Sequence, residues 1–575
     1  MLCGLVVSSF LLAGCGKDQR PKEATGPASP SPKSGERIEV IGPGSTMVTE
    51  EGEEKNLRWS EDGGVDLITF EDKEAIHLSK EQLGTMFGKG KQPFAGKQIT
   101  INVLANGSKG GISGPLHRLR PAWQELTGAE LTIVEVPIAE QLNKTINDLE
   151  FGTGKYDGCI QGAWYMGELI MPGFIIPIDD YMKDKRFPQW DPTWLPPSLR
   201  ELHQWDGKWY GVMNDSDGQA LYWRNDILTD PEWQKKYKEE TGKDMPLPIK
   251  TWQDVIDIAK FFNGKNWDST NTEPDNGIVM HFRVNQQGMF HFMSLSAAFV
   301  VNGGDTVNRG TNNYWFDPDT MEPLINQPGH VKALEVLYEL AKHGPEEQSA
   351  WDLGAAWDHF LRGNAIFVFS WGDVGSLVQD KKKSNIQGKL GASILPGSYE
   401  VYDMNKNEWV KLDKPNVVGN TTGGSWHGVI SSKSKNPELV YSLYALMATE
   451  PVSTWNVNRG WTGVDPGASI HFPPPEGTAE LKGFQDAGWN ESDLKFYLKA
   501  YHENFFAETM LPYLRINGAE EYWRTLDRNL SATMIGEMKP KEALDRTAKE
   551  WKAVTERRGL KEQLKQYQQS IGYKK

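Results

Sequence analysis

The sequence predicts an α/β protein built on sheets of parallel strands, and three observations carry that expectation. Strand-like and helix-like patterns alternate between residues 97 and 161, the order that yields a parallel sheet covered by helices. A second set of strands and helices follows after residue 219. The chain of 575 residues, 38% apolar and 24% charged, is long enough for roughly two or three cores of ordinary globular balance.

Taken in order, residues 5–13 are an apolar run too short to span a membrane but suited to a signal segment, and they end in Leu12, Ala13, Gly14 and Cys15. This run resembles a bacterial lipobox, which implies cleavage before Cys15 and lipidation of that residue. No Lys or Arg precedes the run, a departure from the usual signal. Pro21, Pro27, Pro30 and Pro32 block regular structure over residues 16–37, so this stretch reads as a tether spanning on the order of 25 Å as a flexible coil. Residues 38–95 read as an acidic extension with no assigned role. Of the cysteines Cys3, Cys15 and Cys159, only Cys159 is left after processing and lipidation, so no disulfide framework forms within one chain, and Cys159 reads as a small core residue.

Strands are expected at 99–104, 131–136 and 156–161, with helices over 115–127 (Leu116, Leu119, Trp123, Leu126) and 141–151. Ligands collect at the carboxyl ends of such strands, which singles out the loops 105–114 and 162–165. Asp206-Gly207, between aromatic-rich runs, is a strong signal for a type I′ hairpin. Asn214, Asp215, Ser216, Asp217 and Gly218 then break the strand pattern before it resumes at 220–223, so polar groups are delivered between two rigid elements. Thr251 is positioned to cap a helix over 252–262, and Val331, Leu334, Leu337 and Tyr338 mark another. Strands at 365–369 and 391–395 follow, the first ending in Ser370, Trp371, Gly372 and Asp373. A strand at 429–431 precedes a helix that Asn436 caps and Pro437 opens. Residues 490–575 read as helical almost throughout, with Leu544, Thr547, Ala548, Trp551 and Val554 on one face.

Several of these segments carry a resemblance. The run from Trp205 to Asp226, together with Ile176-Pro177-Ile178-Asp179-Asp180-Tyr181, Thr251-Trp252-Gln253-Asp254, Phe360-Leu361-Arg362-Gly363-Asn364-Ala365, Leu395-Pro396-Gly397 and Lys541-Glu542-Ala543-Leu544, resembles the extracellular solute-binding proteins of carbohydrate ABC importers. The long, Trp-rich form is similar to the branch that includes glycerol-binding members. The resemblance implies a bilobal periplasmic-binding-protein-like (type II) fold, with two sheet-and-helix lobes joined by hinge crossovers. On that reading 96–215 with 424–475 form the first lobe, 216–423 the second, and 476–575 a helical segment packed on both. The hinge falls at 213–220 and again near 397–425.

The net charge of −15 argues against nucleic acid and leaves no polybasic patch for anionic lipid. Catalytic signatures are near misses. His502-Glu503 lacks the second histidine of a zinc helix, residues 84–89 are one residue short of a phosphate loop, and Ser425 lacks the glycine of a nucleophile elbow. No cofactor or metal is implied, and an import system would keep its ATPase on another chain.

What remains is a set of aromatic and acidic residues at expected loop ends: Trp164, Asp215, Asp217, Tyr222, Trp371, Asp373, Trp426 and Trp461, with Arg459 and Trp523 as weaker candidates. Indoles bury the CH faces of a polyhydroxyl compound while carboxylates accept its hydroxyl protons. Packing, for each Trp, and turns or caps, for each Asp, are the competing explanations. The expectation is a monomeric, lipid-anchored, extracytoplasmic binding protein that hands a small neutral sugar or polyol to a permease without covalent chemistry. A secreted glycoside hydrolase and a surface lectin are the alternatives.

Overall fold

The computed structural model describes residues 56–105, 111–267, 274–302, 314–459 and 463–573. The expected signal segment, Cys15 and the tether lie outside the described residues, as do Trp461 and residues 106–110 of the loop expected at 105–114.

Part of the unassigned extension forms an antiparallel sheet of three short strands, β1 (Leu57–Trp59), β2 (Val65–Ile68) and β3 (Ala75–Leu78). Val65 and Leu67, and Ile76 and Leu78, alternate inward along their strands, so one face is apolar and must be covered. The helices Gly114–Thr127 and Glu450–Arg459 pack against this sheet.

The first large sheet contains β4 (Gln98–Leu104), β5 (Glu130–Val136) and β6 (Gly158–Gly162), which run parallel in the order β5-β4-β6 as the alternating pattern requires. Buried Cys159 lies on β6. The Asp206-Gly207 turn joins β7 (Gln204–Trp205) to β8 (Lys208–Trp209), with φ of 48° and 74° at the two turn residues as a type I′ turn demands. The chain continues through β9 (Gly211–Asp215) into β10 (Ala220–Arg224) of a second sheet. There β11 (Asn276–Val279), β12 (Ala365–Ser370) and β13 (Leu390–Ile394) complete the order β11-β12-β10-β13. A surface hairpin, β14 (Glu400–Asp403) and β15 (Glu408–Lys411), precedes β16 (Trp426–Ile430), which returns to the first sheet between β6 and β9.

The sheets are not wholly parallel as expected: β16 is antiparallel to β6 and β9, and β10 to β12 and β13. The reason is the crossover. The chain leaves the first sheet at the carboxyl end of β9 and must re-enter at the same edge, so Trp426, first in β16, pairs with Gly162 and Asp215, last in β6 and β9. Likewise Ala220, first in β10, pairs with Ser370 and Ile394 at the ends of β12 and β13. Both sheets thus turn their carboxyl edges toward the crossovers, giving the mixed α/β bilobal fold.

The Thr251 capping box forms, with Thr251 Oγ1 accepting from Asp254 N at 3.2 Å. Asn436 precedes the helix Pro437–Ala448, but its side chain does not cap it and instead donates to Gln98 O at 3.3 Å. The C-terminal helices Glu491–Phe505, Ala519–Met534, Pro540–Arg558 and Leu560–Ser570 pack on the body. Leu544, Thr547, Trp551 and Val554 are buried as the helical spacing requires. Trp523 is fully buried and packs edge-on against Trp315 at 5.0 Å, so this candidate contributes to the core. Burying one such aromatic is worth about 2–3 kcal/mol. Among the described residues no helix is long and apolar enough to cross a membrane.

Candidate functional site

Where the two carboxyl edges meet, the strands deliver aromatic and acidic side chains to one place. Asp215 ends β9 just after a bulge. Met213 opposes His427 and Asp215 opposes Trp426, which leaves Asn214 as the extra residue on its strand. Asp215 Oδ1 accepts from the backbone N of Ser216 and of Asp465, both at 2.7 Å. Asp217, in the crossover, accepts from Trp426 Nε1 at 2.9 Å. Asp373 opens the short helix that follows β12. Three of the expected aspartates therefore converge, and a fourth joins them.

That fourth residue, Asp465, links three parts of the molecule. Its backbone N holds Asp215 of the first sheet, and its Oδ2 accepts from Gly372 N at 2.8 Å in the loop after β12. Its two oxygens also receive the hydroxyls of Tyr497 (3.2 Å) and Tyr501 (2.9 Å) from the helix Glu491–Phe505. The sequence reading missed Asp465, because Val464-Asp465-Pro466-Gly467 looks like an ordinary turn.

One oxygen each of Asp215, Asp217 and Asp465 lies within 4.8 Å of the others, close enough to hold a cation. Among the described residues no Lys or Arg is a principal influence on the four carboxyls. Burial, and then the mutual repulsion of the group, pushes Asp215, Asp217 and Asp465 well above the usual carboxylate range. Burial raises Asp373 to about 6. The cluster thus gathers several mutually repelling carboxyls, each a hydrogen-bond acceptor, in one place.

Four rings run edge to face beside it. Trp164 packs against Trp426 at 5.4 Å and against Phe290 at 5.8 Å, and Phe290 packs against Trp371 at 5.8 Å. Trp164 and Trp426 belong to the first sheet's edge and Trp371 to the second's, so the aromatic wall crosses from one lobe to the other. Phe290 sits in a helix that is apolar almost all round, and no sequence signal separates it from its core neighbours. Trp371 Nε1 donates to Thr422 O at 2.8 Å, which ties the second lobe's loop to the crossover. The turn beneath the indoles needs glycine: Gly423 and Gly424 have φ of 87° and 104°, and a Cβ there would fall 1.9 Å from Trp371 Nε1 and 2.2 Å from the Trp164 ring.

The remaining candidates divide. Tyr222 is fully buried beside the cluster, its hydroxyl pushed up by burial and by the charges of Asp465 and Asp373. Arg459 turns away from the cluster and pairs with Glu74 of the extension.

A family model for bacterial extracellular solute-binding proteins matches residues 120–463. The chain belongs to that family. Its match takes in the second sheet, the first sheet apart from β4, the crossovers and the aromatic wall. The erythritol/L-threitol-binding protein of Mycolicibacterium smegmatis is 21% identical over 319 residues, 53% of this chain. The matched segment spans 62% of that relative's length. Among solved structures, the ribitol complex of an ABC-transporter solute-binding protein from Agrobacterium radiobacter K84 is 18% identical. It superposes with a TM-score of 0.59 over 80% of this chain and 99% of that one. A D-mannitol-bound protein from Agrobacterium vitis S4 is 19% identical with a TM-score of 0.57, again over 80% and 99%. These likenesses establish the fold.

Proposed function

We propose that this chain is the substrate-binding subunit of an ABC importer, that it closes on a neutral sugar or small polyol, and that it delivers the ligand to a membrane permease. The observation that carries this reading is the meeting, between two lobes, of an indole wall and four carboxyls with no countercharge among the described residues. Indole faces bury CH groups, and carboxylates accept hydroxyl protons without competing as donors. A phosphate or carboxylate on the ligand would instead call for a guanidinium or ammonium nearby. The erythritol/L-threitol-binding relative and the ribitol and D-mannitol complexes support the class.

The residues we assign to the ligand are Trp164, Asp215, Asp217, Tyr222, Trp371, Asp373 and Trp426, and we add Asp465 and Phe290, which stand among them. Trp461, outside the described residues, keeps its place as a candidate. The lobes, 96–215 with 424–475 and 216–423, close about the crossovers, and the ligand drives closure because it touches both. The protein acts as a monomer held to the membrane through Cys15. Cys15→Ser releases it into the soluble fraction with its affinity unchanged.

The test is titration of tryptophan fluorescence with erythritol, ribitol and mannitol, and in parallel with a sugar phosphate and a uronate. The neutral compounds saturate the signal and are recovered unchanged. Tighter binding of the anions overturns the assignment of the aspartates, and recovery of a cleaved glycoside would favour a hydrolase.

A further inference from the structure

We infer that the N-terminal extension braces the binding site through Glu74, a positioning residue for the Asp465 loop. The inference rests on the reading of Asp465 as part of the site. Residues 56–95 precede the segment that the family model matches, 120–463. Glu74 lies in the turn between β2 and β3, and the turn is tied to itself: Thr69 N donates to Glu74 O at 2.9 Å and Glu74 N to Thr69 Oγ1 at 3.1 Å. The turn is also tied to the first lobe, where Arg118 of the helix Gly114–Thr127 pairs with Asp72 at 2.9 Å and Glu71 at 3.4 Å, and its carbonyl accepts from Phe70 N. Glu74 therefore has a fixed origin.

From there its carboxylate divides its two oxygens. One accepts from Trp455 Nε1 at 2.6 Å and the other pairs with Arg459. Trp455 and Arg459 stand four residues apart, hence on one face of the helix Glu450–Arg459, and Arg459 is its last residue, where a cation also meets the negative end of the helix dipole. Asp465 follows six positions later in the chain. Gly463 on the way packs near Gly111 of the first lobe, so one end of this short connection is set by Glu74 and the other by the Asp215–Asp465 bond. The pair is only partly exposed, Glu74 at 29% and Arg459 at 21% of the side chain, so solvent screens it less than it would a surface pair.

The experiment compares the full-length protein with Glu74→Gln, which keeps an acceptor for Trp455 but loses the ion pair, Arg459→Met, and the double variant. The control is Arg58→Ala, at an exposed pair elsewhere in the same small sheet. Hydrogen exchange in the absence of ligand is read at peptides covering 463–472 and, for reference, 57–78 and 98–104. The brace predicts faster exchange at 463–472 alone, about fivefold weaker binding of ribitol or erythritol, and no further loss in the double variant. Unchanged exchange at 463–472 overturns it, and so does exchange that rises equally in the reference peptides, which marks a merely structural contact. A wild-type protein that binds none of the polyols refutes the proposed ligand class and leaves the exchange data to decide the brace.

Discussion

The molecule buries aspartates in two different ways. Asp493, in the first turn of the helix Glu491–Phe505, accepts from Gly388 N at 2.7 Å, Leu390 N at 3.1 Å and Gln379 Nε2 at 3.1 Å, so each oxygen is matched by donors from its own scaffold. Asp527 likewise holds Asn285 N at 2.6 Å and Met289 N at 3.2 Å. The group of Asp215, Asp217, Asp373 and Asp465 is instead crowded together: Asp465 takes three donors and Asp215 two, yet the carboxyls repel one another, and no Lys or Arg among the described residues is a principal influence on them. A lone buried carboxylate needs only donors, whereas carboxyls set against one another raise the free energy of the folded state even where each accepts hydrogen bonds, and a ligand that brings further donors relieves that cost. Buried charge needs compensation, and here the two regions draw it from different sources.

The sharpest break of this comparison is Asp465→Ala, which removes the acceptor for Gly372 N and for two tyrosines as well as a member of the cluster. Polyol affinity should fall by about a hundredfold and stability by about 2–4 kcal/mol, read by titration and by urea unfolding. An intact affinity would separate Asp465 from the site. Next, Asp493→Ala should cost about 2–3 kcal/mol of stability because three donors lose their partner, with affinity unchanged within error. Asp217→Asn should show the inverse, with about tenfold weaker binding and a melting temperature about 2 °C higher, since one repelling charge is gone. A lower melting temperature would mean that the cluster is compensated after all.

The smallest effect is in the pH profile. A carboxyl raised on folding contributes stability that is fully present below its unfolded value near 3.8 and is lost as pH rises through its folded value, about 6 for Asp373. The buried histidines act at the other end. Burial lowers His203, His330 and His471 to about 3 and His281 to about 4, so their contribution is present above 6.5 and is lost as pH falls below it. The melting-temperature advantage of Asp373→Asn over wild type should therefore be largest at pH 7–8 and vanish near pH 4. An advantage that is constant with pH would deny that Asp373 titrates in this range.

Much of the fold was legible because its signals are local. The alternation over 97–161, the Asp206-Gly207 turn and the Thr251 cap each involve residues a few positions apart, and the structure shows each of them. That Trp164, Asp215, Asp217, Trp371, Asp373 and Trp426 come together was legible because they stand at strand ends, which meet in α/β sheets, and because polar breaks between strands stand out. The misses are of another kind. Phe290 is one apolar residue among many in its helix, Asn436 follows a capping pattern without using it, and Arg459 faces the extension. The paired histidines His203 and His427, 3.1 Å apart between Nδ1 atoms, are separated by 224 positions.

By itself the sequence determined the class of fold, the order of its strands and helices, and the chemical types brought to the strand ends, because periodicity and turn chemistry act over a few residues. Only the tertiary structure decided that β16 enters antiparallel between β6 and β9, that Asp465 joins Asp215 across 250 positions, and that Glu74 of the extension reaches the helix leading to that loop. Such contacts leave no period in the chain. They follow from which strand edges the crossovers oblige to meet, and that is settled only when both sheets have been assembled.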